Sequence, residues 1–304
     1  MTGVRPIVFV AVLILLFVNA QTPPNRIVQI LLEHKLGVAD LRNEWLAIVF
    51  PEQLRSRIEY QRPESEYVYS IIAPTGRALF AVRRTFYQSS PPKDTLLRRV
   101  IGASIGREEV IPIPFVAIFQ CAASPNEKLI LIAGRLSEGS DKRDGIFLVQ
   151  RGDGKAEFVA PYVGGGLNES IRSLNVNDQG DMIVYEDGGS IVEFAGPRGH
   201  WTVGARSAGR FPALMPDGRT YVYSDNGWLI ENVGKERHRL FRLPEITGAI
   251  RASPDGGLIE FGTRSPRKSS ITQLRICELR SGDCVDGPKY SEWIAGREAF
   301  WIQR

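Results

Sequence analysis

The chain has 304 residues, with 38 Lys and Arg against 34 Asp and Glu for a net charge of +4, and 43% hydrophobic against 24% charged residues. That balance describes an ordinary globular protein and speaks against a disordered segment or a strongly basic nucleic-acid-binding domain. Three His and three Cys leave little room for a His or Cys metal cage, and no cofactor is expected.

The N-terminus carries a targeting signal. Arg5 precedes an unbroken apolar run at 7–18, and Val18-Asn19-Ala20 sets small or apolar residues at a cleavage site before Gln21. The run falls short of the roughly twenty apolar residues that spanning requires. Residues 1–20 therefore read as a cleaved signal peptide rather than a retained anchor. The mature chain is expected to be periplasmic or secreted, where disulfides persist, with no transmembrane span.

Residues 21–62 read as a lead-in segment. Ile27, Ile30, Leu31 and Leu32 fit a short amphipathic helix, and residues 46–50 form a continuous apolar run that Pro51 ends, as in a buried strand.

From Tyr67 the pattern is regular. Ser253-Pro254-Asp255-Gly256 is a turn in which Pro254 and Asp255 suit the second and third positions and Gly256 the left-handed one. Copies occur at Ala73-Pro74-Thr75-Gly76, Ser124-Pro125-Asn126-Glu127, Asn177-Asp178-Gln179-Gly180 and Met215-Pro216-Asp217-Gly218, with a worn sixth at Trp293-Ile294-Ala295-Gly296. Each has short runs of β-branched and aromatic residues before and after it, and further runs complete several units. A period of about 40–50 residues with four short strands is the signature of propeller blades. The expected fold is an all-β propeller over residues 63–304. Six blades of four antiparallel strands are favoured over seven, and the lead-in around Ile48 and Ile58 would complete the last blade.

Ser253-Pro254-Asp255-Gly256 and Met215-Pro216-Asp217-Gly218, each followed by a strand ending in an aromatic, resemble the WD40-like repeats of the TolB propeller family. The resemblance covers roughly residues 67–304. It is specific as to fold and poor as to function, since the same repeat serves scaffolds, periplasmic binding proteins and the propeller caps of peptidases. With the bacterial setting that the resemblance implies, the expected protein is a non-catalytic, monomeric propeller that binds or scaffolds a protein partner in the cell envelope, without nucleic acid. The segment before the repeats is short for the N-terminal domain of the protein that names the family. A propeller hydrolase or lyase with a central-channel site, or a propeller docking onto a separate enzyme, are the alternatives.

If Arg280-Ser281 is a two-residue turn, Cys277 and Cys284 oppose one another and suit a disulfide; Cys121, in an apolar strand, is a buried thiol. Gly102-Ala103-Ser104-Ile105-Gly106 and Ala205-Arg206-Ser207-Ala208-Gly209 touch on the nucleophile-elbow pattern but lack the strand-to-helix context, and both read as loops between blades. Asn175, Asn177, Gln179 and Glu186 loosely echo a calcium loop, yet the repeated turn already accounts for Gly180. No residue is assigned a catalytic or metal-binding role. The loops between second and third strands carry the candidate binding residues, Arg83 and Arg84 in the first unit and Arg264, Arg267 and Lys268 in the fifth, as a landing patch for an anionic partner.

Overall fold

A computed structural model describes residues 39–40, 45–49, 65–87, 92–100, 108–136, 144–161, 171–265, 268–291 and 299–303. The apolar run at 7–18, the helix expected near 27–32, Ile58, the Gly102 to Gly106 motif, Arg267 and the sixth turn at 293–296 lie outside them.

The described residues are all β. Strands β1 (Ala39–Asp40) and β2 (Trp45–Val49) precede five four-stranded blades. The first holds β3 (Ser65–Ile72), β4 (Ala78–Thr85), β5 (Lys93–Val100) and β6 (Glu109–Ile111). The second holds β7 (Phe115–Ala123), β8 (Leu129–Leu136), β9 (Asp144–Gln150) and β10 (Ala156–Pro161). The third holds β11 (Ile171–Val176), β12 (Met182–Asp187), β13 (Ser190–Ala195) and β14 (Thr202–Ala208). In the fourth are β15 (Arg210–Leu214), β16 (Thr220–Asp225), β17 (Trp228–Val233) and β18 (Glu236–Arg242), and in the fifth β19 (Arg251–Ala252), β20 (Leu258–Ser265), β21 (Lys268–Glu278) and β22 (Cys284–Ser291). β23 (Ala299–Gln303) follows. Each blade is an antiparallel meander whose strands pair in chain order.

The five recurring turns share one hydrogen-bond pattern. In the last, the Gly256 amide donates to the Ser253 carbonyl at 2.8 Å and the Ser253 amide to the Leu258 carbonyl at 2.8 Å; the other four repeat both bonds. The fourth turn residue is left-handed in all five, with φ of 67° at Gly76, 59° at Glu127, 72° at Gly180, 69° at Gly218 and 73° at Gly256. Glu127 is the one non-glycine there, and its carboxylate is gripped by Arg98 and Arg151, which offsets the cost of that backbone conformation.

The blade count differs from the six or seven expected. Five blades are four-stranded, and the chain's outlying strands make a separate three-stranded sheet in the order β1-β2-β23. There Ile48 is opposite Phe300 and Ala47 opposite Trp301, and β23 lies against both β20 and β3. A count of turn markers assigned the last unit a full complement of strands; among the described residues this sheet has no fourth.

Apolar side chains on alternate residues of the second strands β8 and β16 serve two different interfaces. Ile130 and Ile132 of β8 pack with Phe80 and Leu96 of the first blade, while Leu129 and Leu131 pack with Ile183 and Tyr185 of the third. In β16, Tyr221 and Tyr223 face Val184 and Ile191 of the third blade, and Val222 faces Ile259 and Phe261 of the fifth. These strands read as unbroken apolar runs because both faces are buried.

Cys277 and Cys284 are directly opposed and joined in a disulfide. The connection between them is longer than a two-residue turn: the Glu278 amide donates to the Asp283 carbonyl, and Gly282, with φ of 74°, donates to the Glu278 carbonyl. Cys121 is buried and free, and burial pushes its thiol up to about 12. Thiol titration should therefore find no reactive group in the native protein at pH 8, one after unfolding, and three after unfolding and reduction. Because the folded thiol keeps its proton while the unfolded one loses it above about pH 8.5, stability should fall with rising pH from there towards pH 12. Cys121→Val should flatten that fall.

Candidate functional site

A propeller of antiparallel meanders has two faces. One carries the recurring first-to-second-strand turns and the third-to-fourth-strand turns. The other carries the second-to-third-strand loops, where the candidate basic residues lie.

The turn face is a chain of blade-to-blade hydrogen bonds. The Thr75 hydroxyl reaches Glu127 at 3.5 Å, the Asn126 amide donates to Asp178 at 2.6 Å, and the Asn177 side-chain amide donates to the Gly218 carbonyl at 3.0 Å. Outside it, an arginine from the outer turn of one blade pairs with a carboxylate on the blade before. Arg151 reaches Glu109 of the first blade and also Glu127 of its own blade, Arg198 pairs with Glu157 at 2.7 Å, and Arg280 meets Glu231 at 3.4 Å.

On the loop face, two buried carboxylates lock one blade to the next. Asp94 accepts both guanidinium arms of Arg84, at 2.8 and 2.9 Å, and the main-chain amide of Ile118 in the second blade at 2.7 Å. Glu186 accepts the amide of Phe211 in the fourth blade at 2.9 Å and Arg210 at 3.3 Å. Phe211 sits at φ 57°, a conformation that a bulky residue keeps only when its surroundings over-determine it.

The candidate basic residues divide accordingly. Arg84 is a structural ion pair, and Arg83 is held by Glu108 at 3.1 Å. Arg264 occupies the place in the fifth blade that Arg84 has in the first and Arg135 in the second, each eight residues beyond the left-handed turn residue. It pairs with Glu245 at 3.1 Å, in the way that Arg135 holds Asp144 at 2.6 Å. Lys268 begins β21 with its backbone opposite Ser265. The structure thus places Arg83 and Arg84 in one blade and Arg264 and Lys268 in another, with Arg83, Arg84 and Arg264 each beside a carboxylate. Next to Arg83 and Arg84, Phe86 and Tyr87 are exposed, at 48% and 53%, a pair of aromatics that a reading by charge alone passes over.

The remaining motifs are structural. Asn177 spends its side-chain oxygen on the amides of Gly180, Asp181 and Met182, and Asn175 bridges to Pro212 and Leu214 of the next blade. Residues 205–208 lie within β14 rather than in a loop between blades, and Ser207 is buried opposite Ile191. Among the described residues no group of three His, Cys, Asp or Glu is placed to hold a metal ion, and no helix is long and apolar enough to cross a membrane.

No family model matches the sequence, and no curated protein matches it. Solved structures do. A protein from Agrobacterium tumefaciens assigned as a TolB superposes with a TM-score of 0.55 at 15% identity, over 81% of this chain and 92% of that one. TolB from Acinetobacter baumannii superposes with a TM-score of 0.50 at 14% identity, over 79% of this chain, which spans 58% of that protein. At such identity the likeness is one of fold: the chain is a β-propeller, similar in fold to these two proteins.

Proposed function

We propose that the chain is an exported, non-catalytic propeller that binds a protein partner in a bacterial cell envelope, using its loop face. The observation that carries this reading is the pairing of a rigid frame with exposed aromatics. Asp94 and Glu186 tie neighbouring blades together beneath the loops, and Phe86 and Tyr87 project beside them. Exposed aromatics on a fixed base are the usual anchors of protein interfaces. The likeness to TolB-like propellers supports the envelope, the apolar run at 7–18 supports export, and the Cys277–Cys284 disulfide supports an oxidising compartment. Arg264 of the fifth blade and, next to it in the sequence, Arg267 and Lys268 are the contacts proposed for an anionic feature of the partner.

The test is capture from envelope extract by residues 21–304, in parallel with Phe86→Ala/Tyr87→Ala and with Arg264, Arg267 and Lys268 changed to Ser. The expected result is a specific partner whose recovery drops at least about tenfold in the aromatic variant and several-fold in the basic one. A partner held equally by all three forms would move binding off this face, and none held by the folded wild type would sink the reading.

A further inference from the structure

The five outer strands β6, β10, β14, β18 and β22 each have one main-chain edge that no other described strand covers. Such edges invite pairing and are normally blunted. β6 has three residues, β10 ends at Pro161, β14 is interrupted by Gly204, and β22 contains Gly287-Pro288. β18 differs: it is a seven-residue edge, Glu236–Arg242, without Gly or Pro, its one register shift falls between Arg239 and Arg242, and its first four residues are exposed.

Its charges also differ from those of six arginines elsewhere among the described residues. Arg83, Arg84, Arg135, Arg198, Arg264 and Arg280 all sit within ion-pair distance of a carboxylate. In β18 the one acid, Glu236, is taken by His238 at 3.4 Å. Arg239 and Arg242 lie over the Trp228 ring, at 5.8 and 4.9 Å, and Arg237, Arg239 and Arg242 have no carboxylate partner among the described residues. Arg237 and Arg239 are opposite Asn232 and Ile230 in an unshifted register, so both stand on one face of the blade. Lys235 precedes them.

We propose, resting on the protein-binding reading above, that β18 is a docking edge for an extended acidic polypeptide segment, which adds to the fourth blade as a fifth antiparallel or parallel strand. Main-chain hydrogen bonds to the free edge supply the affinity, since exposed ion pairs contribute little each. The cations supply selectivity: acidic residues at alternate positions of the incoming strand meet Arg237 and Arg239. A second copy of this chain is disfavoured there, because pairing β18 with itself would set like charges against one another.

The test is fluorescence anisotropy of the full chain with a labelled short peptide of alternating Glu and Val. Three probes accompany it: a Lys–Val peptide, a Glu–Val peptide N-methylated at alternate residues, and an oligothymidylate competitor. The Glu–Val peptide should bind, and should weaken by about tenfold or more with Arg237→Glu/Arg239→Glu and by a similar factor on N-methylation. The charge-reversed variant should acquire binding of the Lys–Val peptide. Both replaced residues are exposed, and only Arg239 gives up a contact, over the Trp228 ring, so the melting temperature should fall by no more than a few degrees. Equal binding of the N-methylated peptide would refute strand addition; equal binding by the variant, or no peptide binding, would refute the docking edge. Displacement by oligothymidylate at lower concentration than by unlabelled peptide would assign the edge to nucleic acid instead. An envelope partner captured equally by wild type and Arg237→Glu/Arg239→Glu, without peptide binding, would leave the protein-binding reading standing while the edge falls.

Discussion

Asp94→Ala should lower the unfolding free energy by about 3–5 kcal/mol, because it leaves a partly buried guanidinium uncompensated and a buried amide without its acceptor. The Asp94 side chain is fully buried while that of Arg84 is 23% exposed, and its second oxygen also receives the Ile118 amide from the neighbouring blade. The loss therefore falls on the joint between the first and second blades. Urea titration should show a lower midpoint. The double variant Arg84→Met/Asp94→Leu should recover much of the loss, since removing both charges removes the uncompensated one. A loss below about 1 kcal/mol in Asp94→Ala would mean that the pair is merely a surface contact.

Gly154→Ala should cost about 2–4 kcal/mol, combining a left-handed residue that acquires a Cβ with overpacking against backbone. Gly154 has φ of 66°, and a Cβ there would lie 2.3 Å from the carbonyl oxygen of Pro112, which belongs to the connection out of the first blade. A backbone atom has no rotamer by which to retreat. Gly152, in the same turn, has nothing within 4 Å of its notional Cβ, so Gly152→Ala should shift the thermal midpoint by little. Equal effects at the two positions would refute the close approach of the two blades.

The repeating hairpin was legible because its chemistry is local: Pro, Asp and Gly at fixed places each set one backbone angle. The disulfide register was legible for the same reason, although the turn between the cysteines runs through Gly282 and is longer than a simple hairpin count allows. The blade number was not: a sixth turn marker implied a unit of four strands, and no short-range signal states that β1, β2 and β23 form a sheet of three among the described residues. The fate of Arg83 and Arg84 was hidden in another way. Asp94 and Glu108 are visible in the sequence as opposing charges, but only the strand register sets each beside its arginine. Glu186, which echoed the last position of a calcium loop, is instead the acceptor for a main-chain amide in the next blade. The run from Lys235 to Arg242 carries a compositional signal in its charges, but only the strand pairing sets them on an uncovered edge.

The pairing of β2 with β23 bears on how the molecule assembles. Every blade is made of hairpins between strands adjacent in the chain, contacts that form quickly because little chain entropy is lost in closing them. Ala47 and Trp301, by contrast, belong to opposite ends of the chain and meet only when the intervening blades have curved far enough to bring those ends together. Assembly then has a natural order, with blades maturing along the polypeptide as it emerges and this small sheet setting last. Opening begins at the same seam, because parting β2 from β23 undoes the contacts of greatest sequence separation while every four-stranded meander stays whole.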